Sequence, residues 1–579
     1  MTSAEEPPSL SQLMISAFCE RSIRSAVLID EQFPKLSDAL AGFQNSDSEN
    51  SIADKYPEWE RAKELYEAFH GQKITCDVEN DPGKLGELSE KIRKSDLVVL
   101  DLHLQDSADA TESIEVLKSL AANNRFNLVV VYTKDNKLRK IAIELAGSIR
   151  GKQAFEDAGL ENVYSSVKDD IAEFDLPAEQ MAIDHICGNP FSGASVGGLR
   201  GKLASEHKIP KDQHLPILAA LAVHFLEDHY GAIPGKIQSV AHAINLDCKN
   251  PWMVFPNVFV VVAHKGTTSP NELLTVIKNA ILDWNPGIVR TIIAQIQNTI
   301  ADNGYAFAES LANDLETQVA WLWHASRGGA GEPAAIEMLI QRMVLSLRAT
   351  LSSDGDLSEF VSSCIATLPD LADPLTQLAA IAKTIAVNDI GGADVLHALN
   401  CFESTEPFST NYITTGTVLF SKHPKFGNQW WVCVEPACDT IPNQASSQDN
   451  FLHCRLLEVR SCTSEKEDIA RAATRSRYIF VNFGSRREFL DSLNETSAQP
   501  KPVTGFVKKE GQVVGNLGDQ RVSVFFPDKS LTEIGFFEVE MHVVAQLREP
   551  YANRLLQETG SQLSRIGLNF VDLPKKSIE

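Results

Sequence analysis

Carboxylates and a hydroxyl follow three short apolar runs near the start of the chain, at the point where each run ends. These residues are Asp30, Glu31, Asp101 and Thr133. Three carboxylates that lie close together repel one another, and a divalent cation relieves that repulsion. Oxygen ligands of this kind suit Mg²⁺, which binds one or two carboxylates together with a phosphoryl group. A carboxylate beside Mg²⁺ can attack phosphorus and form an acyl phosphate, so the pattern predicts Mg²⁺-dependent phosphoryl transfer.

Each of these residues has an expected role in that chemistry. Asp101 is the expected nucleophile and also a metal ligand, whereas Asp30 and Glu31 are expected to hold the metal, directly or through water. The backbone carbonyl of His103 is expected to supply a further oxygen, and the Thr133 hydroxyl a hydrogen bond to the phosphoryl oxygens. The structural alternative for any one aspartate is an N-cap, because an Asp after a strand often begins the next helix.

The apolar runs before these residues predict the elements that position them. Continuous rather than alternating runs are typical of central strands in a parallel sheet covered on both faces. The expected strands are Ser25–Ile29, Lys73–Val78, Leu97–Leu100 and Asn127–Tyr132, and the expected helices between them are Trp59–Phe69, Gly83–Lys94 and Thr111–Asn123. This alternation predicts a doubly wound α/β sheet. Ligands bind such sheets at the carboxyl ends of the strands, where the polar residues stand.

The rest of the chain changes character twice. The middle shows helical periodicity, except that the segment Asn250–Lys265 is a candidate for a strand. The last part has short apolar and aromatic runs between turn-rich segments, which predict a small antiparallel barrel or sandwich followed by a final helix. We therefore expect a multidomain protein with an α/β domain at 1–172, a mainly helical domain at 173–405 and a β-rich domain at 406–579.

Composition bounds the class of protein. The chain has 579 residues, 43% of them hydrophobic, and a formal net charge of −24. A core of this composition excludes a mostly disordered chain, and the acidic charge disfavours nucleic acid as a partner. The most apolar stretch is about half of the roughly 20 residues that span a bilayer, so no membrane association is expected. Ten scattered cysteines predict reduced thiols and a cytoplasmic location.

The first part of the chain resembles the receiver (CheY-like) domain of two-component response regulators. The resemblance lies in VLIDEQ with Asp30 and Glu31, VVLDLHL with Asp101, and VVVYTKD with Thr133. It implies a Mg²⁺-dependent domain that takes a phosphoryl group from a sensor histidine kinase onto Asp101. Receiver domains also carry a lysine at the end of a fifth strand, and that strand is not recognisable here. Three lysines are candidates for this position: Lys134, Lys152 and Lys168.

The layout of the whole chain is similar to that of receiver proteins in bacterial two-component-like phage-defence systems of the Detocs type. Stretches such as NVFVVVAHKG and ILDWNPGIVRTII contribute to this resemblance. It implies a phosphate sink or buffer without DNA-binding output or a dedicated output enzyme. The helical and β-rich parts would then bind the kinase, position the receiver or mediate self-association.

Two other functions stay open at this point. The first is a receiver-regulated effector enzyme with its active site in the C-terminal domain near Cys438 and Asp439, and the second is a pseudo-receiver that serves only as a docking scaffold. A group of thiols and an imidazole in the C-terminal part is interpreted as core or free thiols, with zinc as the alternative. These residues are Cys433, Cys438, His453, Cys454 and Cys462.

Overall fold

The computed structural model describes most of the chain. The described residues are 7–43, 54–81, 91–104, 110–123, 125–153, 155, 158–168, 178–191, 193–236, 239–303, 314–326, 333–384, 392–423, 427–440, 450–462, 478–483, 486–492, 502–509, 512–515, 519–528 and 535–563. The chain divides into two compact units, Met1–Glu309 with Ser346–Leu368, and Ser310–Leu345 with Pro369–Glu579. The domain limits expected at residues 172 and 405 do not coincide with this division and stay a prediction.

A seven-stranded sheet forms the centre of the first unit. Its strands are β1 (Ser25–Ile29), β2 (Thr75–Glu79), β3 (Leu97–Leu100), β4 (Asn127–Thr133), β5 (Ala243–Asn245), β6 (Trp252–Phe255) and β7 (Val258–His264). The order is β2-β1-β3-β4-β7-β6-β5. The first five strands in that order are parallel, whereas β6 and β5 run antiparallel at one edge.

Helices cover both faces of this sheet. The helices between residues 10 and 302 are α1 (Leu10–Ile15), continued by a π-helix (Ser16–Glu20), α2 (Leu36–Phe43), α3 (Trp59–Gly71), α4 (Thr111–Ala121), α5 (Leu138–Arg150), α6 (Ala158–Val167), α7 (Ala178–Cys187), α8 (Gly193–Ser205), α9 (His214–Phe225), α10 (Leu273–Trp284) and α11 (Gly287–Asp302). Helices α6, α8 and α9 pack together in a separate core. Alternate residues of each strand enter opposite cores, so that Val129 packs with α4 and α5 while Val130 packs with α3 and α10. Burial on both faces explains why the strands read as continuous apolar runs.

The fifth parallel strand is separated from the fourth by a long helical insertion. Strand β4 ends at Thr133, the chain then forms α5 to α9, and β7 begins only at Val258. Strand β7 nevertheless pairs with β4 along its whole length, from Asn127 opposite Val258 to Thr133 opposite His264. The strand that sequence reasoning did not assign to the sheet therefore lies in the segment Asn250–Lys265.

The second unit contains a closed antiparallel barrel. Its strands and their neighbours are β8 (Thr405–Glu406), β9 (Thr417–His423), β10 (Gly427–Cys433), β11 (Phe451–Ser461), β12 (Tyr478–Phe483), β13 (Arg486–Asp491), β14 (Pro502–Lys508), β15 (Val513–Val514), β16 (Arg521–Asp528) and β17 (Gly535–Leu547). Six of them follow one another as β10-β9-β17-β16-β14-β11, and a β10–β11 pairing closes the ring. Strands β12 and β13 extend β11, while β8 and β15 attach at β17 and β16.

The remaining helices belong to the helical middle region, to a connection between two barrel strands and to the end of the chain. They are α12 (Leu315–Ser326), α13 (Pro333–Ser353), α14 (Gly355–Ala366), α15 (Pro374–Thr384), α16 (Gly392–Ser404), α17 (Ala437–Thr440) and α18 (Glu549–Leu563). The expected fold class is confirmed: a parallel-sheet receiver fold, a helical middle and a β-barrel with extra strands. Within the described ranges, no helix combines the length and the apolar character needed to cross a membrane.

Candidate functional site

The carboxyl ends of β1 and β3 bring the first acidic residues together. These strands are parallel neighbours with Ile29 opposite Leu100, so Asp30 and Asp101 follow them side by side. The backbone N–H of Asp101 donates to the carbonyl of Ile29 at 2.9 Å and extends the pairing into the site. One ligand oxygen from each of Asp30, Glu31 and Asp101 lies within 4.8 Å of the others. The sheet therefore assembles the three carboxylates that the sequence predicted to meet.

These carboxylates differ in how far they are buried. Asp30 is 2% exposed, and its Oδ1 accepts a hydrogen bond from the N–H of Gln32 at 2.8 Å. The side chain of Asp101 is 12% exposed, and Glu31 is half-buried. Withdrawal of several carboxylates from water is unfavourable unless a cation compensates them. The site therefore requires positive charge.

Lys265 supplies a positive charge inside the cluster. Its Nζ lies 2.7 Å from Oδ2 of Asp30 and 3.1 Å from Oδ1 of Asp101, and its side chain is only 3% exposed. The lysine directly follows β7, and its backbone N–H donates to the carbonyl of Thr133 at 2.7 Å. Lys265 therefore completes the same edge of the sheet, although the helical insertion separates it from β4 in the sequence.

Two of the three lysines considered from the sequence pair with glutamates outside the acidic cluster, and the third, Lys168, follows α6. Lys134 pairs with Glu58 at 2.6 Å, and Lys152 pairs with Glu227 at 3.0 Å. Lys265 could have been found from the pattern NVFVVVAHKG, in which an apolar run ends in a lysine. That run is separated from the other strands by helices, and periodicity alone does not show which strands are neighbours.

The pKa values reflect both burial and charge. Burial raises the pKa of Asp101, the Lys265 ammonium opposes that rise, and the Asp30 and Glu31 carboxylates add to it, with a result of about 6. Burial lowers the pKa of Lys265, but the attraction of Asp30 and Asp101 outweighs burial and leaves this pKa above its ordinary value. Without a further cation, the cluster therefore contains more carboxylate than its lysine neutralises.

Thr133 and His103 stand at the same edge. Thr133 ends β4 and is 1% exposed, and its hydroxyl accepts a hydrogen bond from the backbone N–H of Asp135 at 3.1 Å. His103 is half-buried in the turn after β3. Ser113 fixes this turn, because its hydroxyl lies 2.7 Å from the carbonyl of Asp101 and 2.8 Å from that of Leu102. The roles of the His103 carbonyl and the Thr133 hydroxyl stay predictions.

The acidic cluster could hold a metal ion. Within the described part of the chain, it is the one group of three or more His, Cys, Asp or Glu residues whose ligand atoms approach closely enough. Its donors are all oxygens, which suit a hard cation such as Mg²⁺ better than zinc. The donor set therefore fits the ion that the sequence predicted.

The cysteines of the C-terminal part lie in different surroundings. Cys433 and Cys454 are buried in the barrel interior, and burial raises the pKa of the Cys433 thiol to about 12. His453 instead places its Nδ1 3.1 Å from Oε2 of Glu435. Cys462 packs against a different cluster, formed by Cys401, Phe480 and Phe489. The side chain of Cys438 lies outside the described part of the structure. Buried, protonated thiols are poor nucleophiles and poor metal ligands.

Comparisons with known proteins agree with this geometry. Residues 22–175 match the family model of the response receiver domain. The chain therefore contains a receiver domain, which implies phosphoacceptor signalling and a phosphodonor such as a histidine kinase. The match ends before β5, so it includes β1 to β4 but neither β7 nor Lys265. Neither the curated proteins nor the solved structures gave a match to the chain.

Proposed function

We propose that the protein is a phosphoacceptor whose Asp101 receives a phosphoryl group from a sensor histidine kinase. One observation carries this proposal: the Asp101 carboxylate lies at the end of β3 between two further carboxylates and the buried ammonium of Lys265. A carboxylate that keeps 12% of its side chain exposed, and that is flanked by a cation site and a lysine, suits nucleophilic attack on phosphorus.

Each residue of the site has a separate role in the proposed reaction. A carboxylate oxygen of Asp101 attacks the phosphorus of the donor, the bond from phosphorus to the donor nitrogen or oxygen breaks, and an acyl phosphate forms. Asp30 and Glu31, together with Asp101 and the His103 carbonyl, would hold Mg²⁺. When bound, the ion supplies positive charge that offsets the charge of the transferring group. Lys265 is positioned to pair with the phosphoryl oxygens once the charge of Asp101 is spread over them, and Thr133 adds a hydroxyl.

The downstream role that we propose is a phosphate sink or buffer in a phage-defence pathway, without DNA-binding output. Its support is the resemblance of the chain layout stated above, together with the acidic net charge of −24, which disfavours a DNA-bound output. A phosphomimetic substitution at Asp101, expressed without the kinase, should then be harmless to cells. Toxicity of that variant would instead favour an effector enzyme in the C-terminal part of the chain.

The phosphoacceptor proposal is tested by labelling with a small phosphodonor. Purified protein incubated with acetyl phosphate and Mg²⁺ should give a shifted band on a Phos-tag gel, and EDTA should abolish the shift. Asp101→Asn should remove it. Asp135→Asn is the matched control, because Asp135 follows β4 near this edge, caps the N–H of Lys137 through Oδ1 and lies outside the cluster. Unchanged labelling of the Asp101→Asn variant would contradict the proposal, as would the absence of any shift, which favours a docking scaffold.

A further inference from the structure

Arg61, a residue of helix α3, contacts the turn that carries Lys265. Its Nη1 donates to the backbone carbonyl of Lys265 at 2.8 Å and lies 3.5 Å from the hydroxyl of Tyr132. The guanidinium also stands over the Tyr132 ring, 5.5 Å from its centroid. The arginine reaches from α3, which follows β1, to the end of β7, so it connects two parts of the sequence that are far apart.

The turn after β7 is therefore held from several directions. The N–H of Lys265 donates to Thr133, and its carbonyl accepts from Arg61. Three residues further on, the carbonyl of Thr268 accepts a hydrogen bond from the Tyr132 hydroxyl at 2.5 Å. Tyr132 is 1% exposed and Thr268 is 3% exposed, so the hydrogen bond between them is shielded from water and its loss would be costly.

Glu58 fixes the arginine in turn. Its Oε2 lies 2.8 Å from Nε of Arg61, and its Oε1 lies 2.6 Å from Nζ of Lys134, which follows Thr133. Burial raises the pKa of Glu58, but the hydrogen bond from Lys134 and the charge of Arg61 outweigh burial and hold this pKa below its ordinary value. An ionised Glu58 therefore connects α3 both to the end of β4 and, through Arg61, to the end of β7.

We infer that Arg61 is a positioning residue for phosphoryl transfer, which acts by holding the backbone of Lys265 so that its ammonium stays directed at Asp101. The inference rests on the proposed function. A lysine side chain has four rotatable bonds, so the position of its ammonium depends on a fixed backbone. Small misplacements in a phosphoryl-transfer site are costly, since an error of about 1 Å can slow a reaction about 100-fold. Arg61 does not touch the reacting atoms, and its effect must pass through Lys265.

A double-mutant cycle tests this route. The measured quantity is the initial rate of Asp101 labelling by acetyl phosphate with Mg²⁺. Arg61→Ala should slow labelling about 10-fold or more, and Arg61→Lys, which keeps one donor for the Lys265 carbonyl, should recover part of that loss. In the Lys265→Ala background, Arg61→Ala should have no further effect, because the residue through which it acts is absent.

The control variant is Lys63→Ala. Lys63 lies on the same helix, is exposed and pairs with Glu67 at 3.9 Å, so this variant should label at the wild-type rate. Melting curves show whether each variant is folded, and the cycle is run with Arg61→Lys should the alanine variant be unfolded. An Arg61 variant that labels at the wild-type rate would overturn the positioning role, as would an equal loss in both backgrounds. A wild-type protein without label at Asp101 would remove the proposed function and this inference together.

Discussion

The two sheets of the molecule place polar groups in opposite ways. In the seven-stranded sheet, five strands run parallel, so Asp30, Asp101 and Lys265 all follow strand ends at one edge and are buried together. In the barrel, neighbouring strands are antiparallel, so their carboxyl ends alternate between the two rims. The barrel interior accordingly contains apolar side chains and thiols such as Cys433 and Cys454. Parallel topology thus brings the residues that follow the strands together at one edge, where they can form a charged site. In the antiparallel barrel, the corresponding residues are divided between two rims.

The largest expected effects come from a charge placed in the core of either sheet. Val261 in β7 and Val524 in β16 are both 0% exposed. A buried, unpaired carboxylate costs several kcal/mol, so Val261→Asp should unfold the first unit and abolish labelling, whereas Val524→Asp should unfold the barrel and leave labelling intact. Thermal unfolding followed by circular dichroism, combined with Phos-tag gels, measures both. If Val524→Asp abolished labelling as well, the two sheets would not be independent in function.

A second prediction separates two roles of Lys265, as a competitor of the metal ion and as a partner of the phosphoryl oxygens. Lys265→Ala removes a cation that competes with metal for Asp30 and Asp101, so Mg²⁺ should bind more tightly. The same change removes a partner of the phosphoryl oxygens, so labelling should slow by about 100-fold. Isothermal titration and labelling rates measure these opposite effects. Lys63→Ala is the control, because Lys63 is exposed on α3 and pairs with Glu67, away from the acidic cluster. A parallel loss of both properties in Lys265→Ala would contradict the assignment.

The sequence revealed the parts of the site that follow local apolar runs. Asp30, Asp101 and Thr133 could be placed because each ends such a run, and β1, β3 and β4 lie where those runs predicted. Lys265 could not be placed, because the helices from α5 to α9 intervene and pairing between distant strands leaves no periodic signal. The choice between barrel and sandwich stayed open in the sequence for the same reason, since closure of the barrel depends on β10 pairing with β11.

A third prediction concerns backbone packing in the barrel. Gly416 has φ +87°, and a Cβ there would lie 2.6 Å from Cβ of Ala552, whereas Gly427 has φ +73° and open space around it. Gly416→Ala adds a clash to the strain of a positive φ and should cost about 2–3 kcal/mol, whereas Gly427→Ala should cost about 1 kcal/mol. Urea unfolding measures the difference. Equal losses in the free energy of unfolding for the two variants would show that close packing at Gly416 is unimportant. A change in Asp101 labelling in either variant would contradict the separation of the two sheets.

The smallest expected effect is a pH dependence of stability at the acidic edge. The pKa of Asp101 is raised from 3.8 to about 6, so the folded protein holds that proton more tightly than the unfolded chain. The proton on Asp101 therefore stabilises the folded protein, fully below pH 3.8, and this stabilisation is lost as the pH rises through 6. The free energy of unfolding falls by about 1 kcal/mol or more over that range. In EDTA, Asp101→Asn should therefore flatten the decline in the free energy of unfolding between pH 5 and 7. An identical slope in both proteins would contradict the burial of this carboxylate.

The central claim is that Asp101, and no other carboxylate of the edge, takes the phosphoryl group. Borohydride reduction of the acyl phosphate converts the modified aspartate to homoserine, which mass spectrometry can locate. After incubation with acetyl phosphate and Mg²⁺, we expect homoserine at position 101 and unmodified carboxylates at Asp30 and Glu31. Homoserine at another position, or at none, would contradict the account.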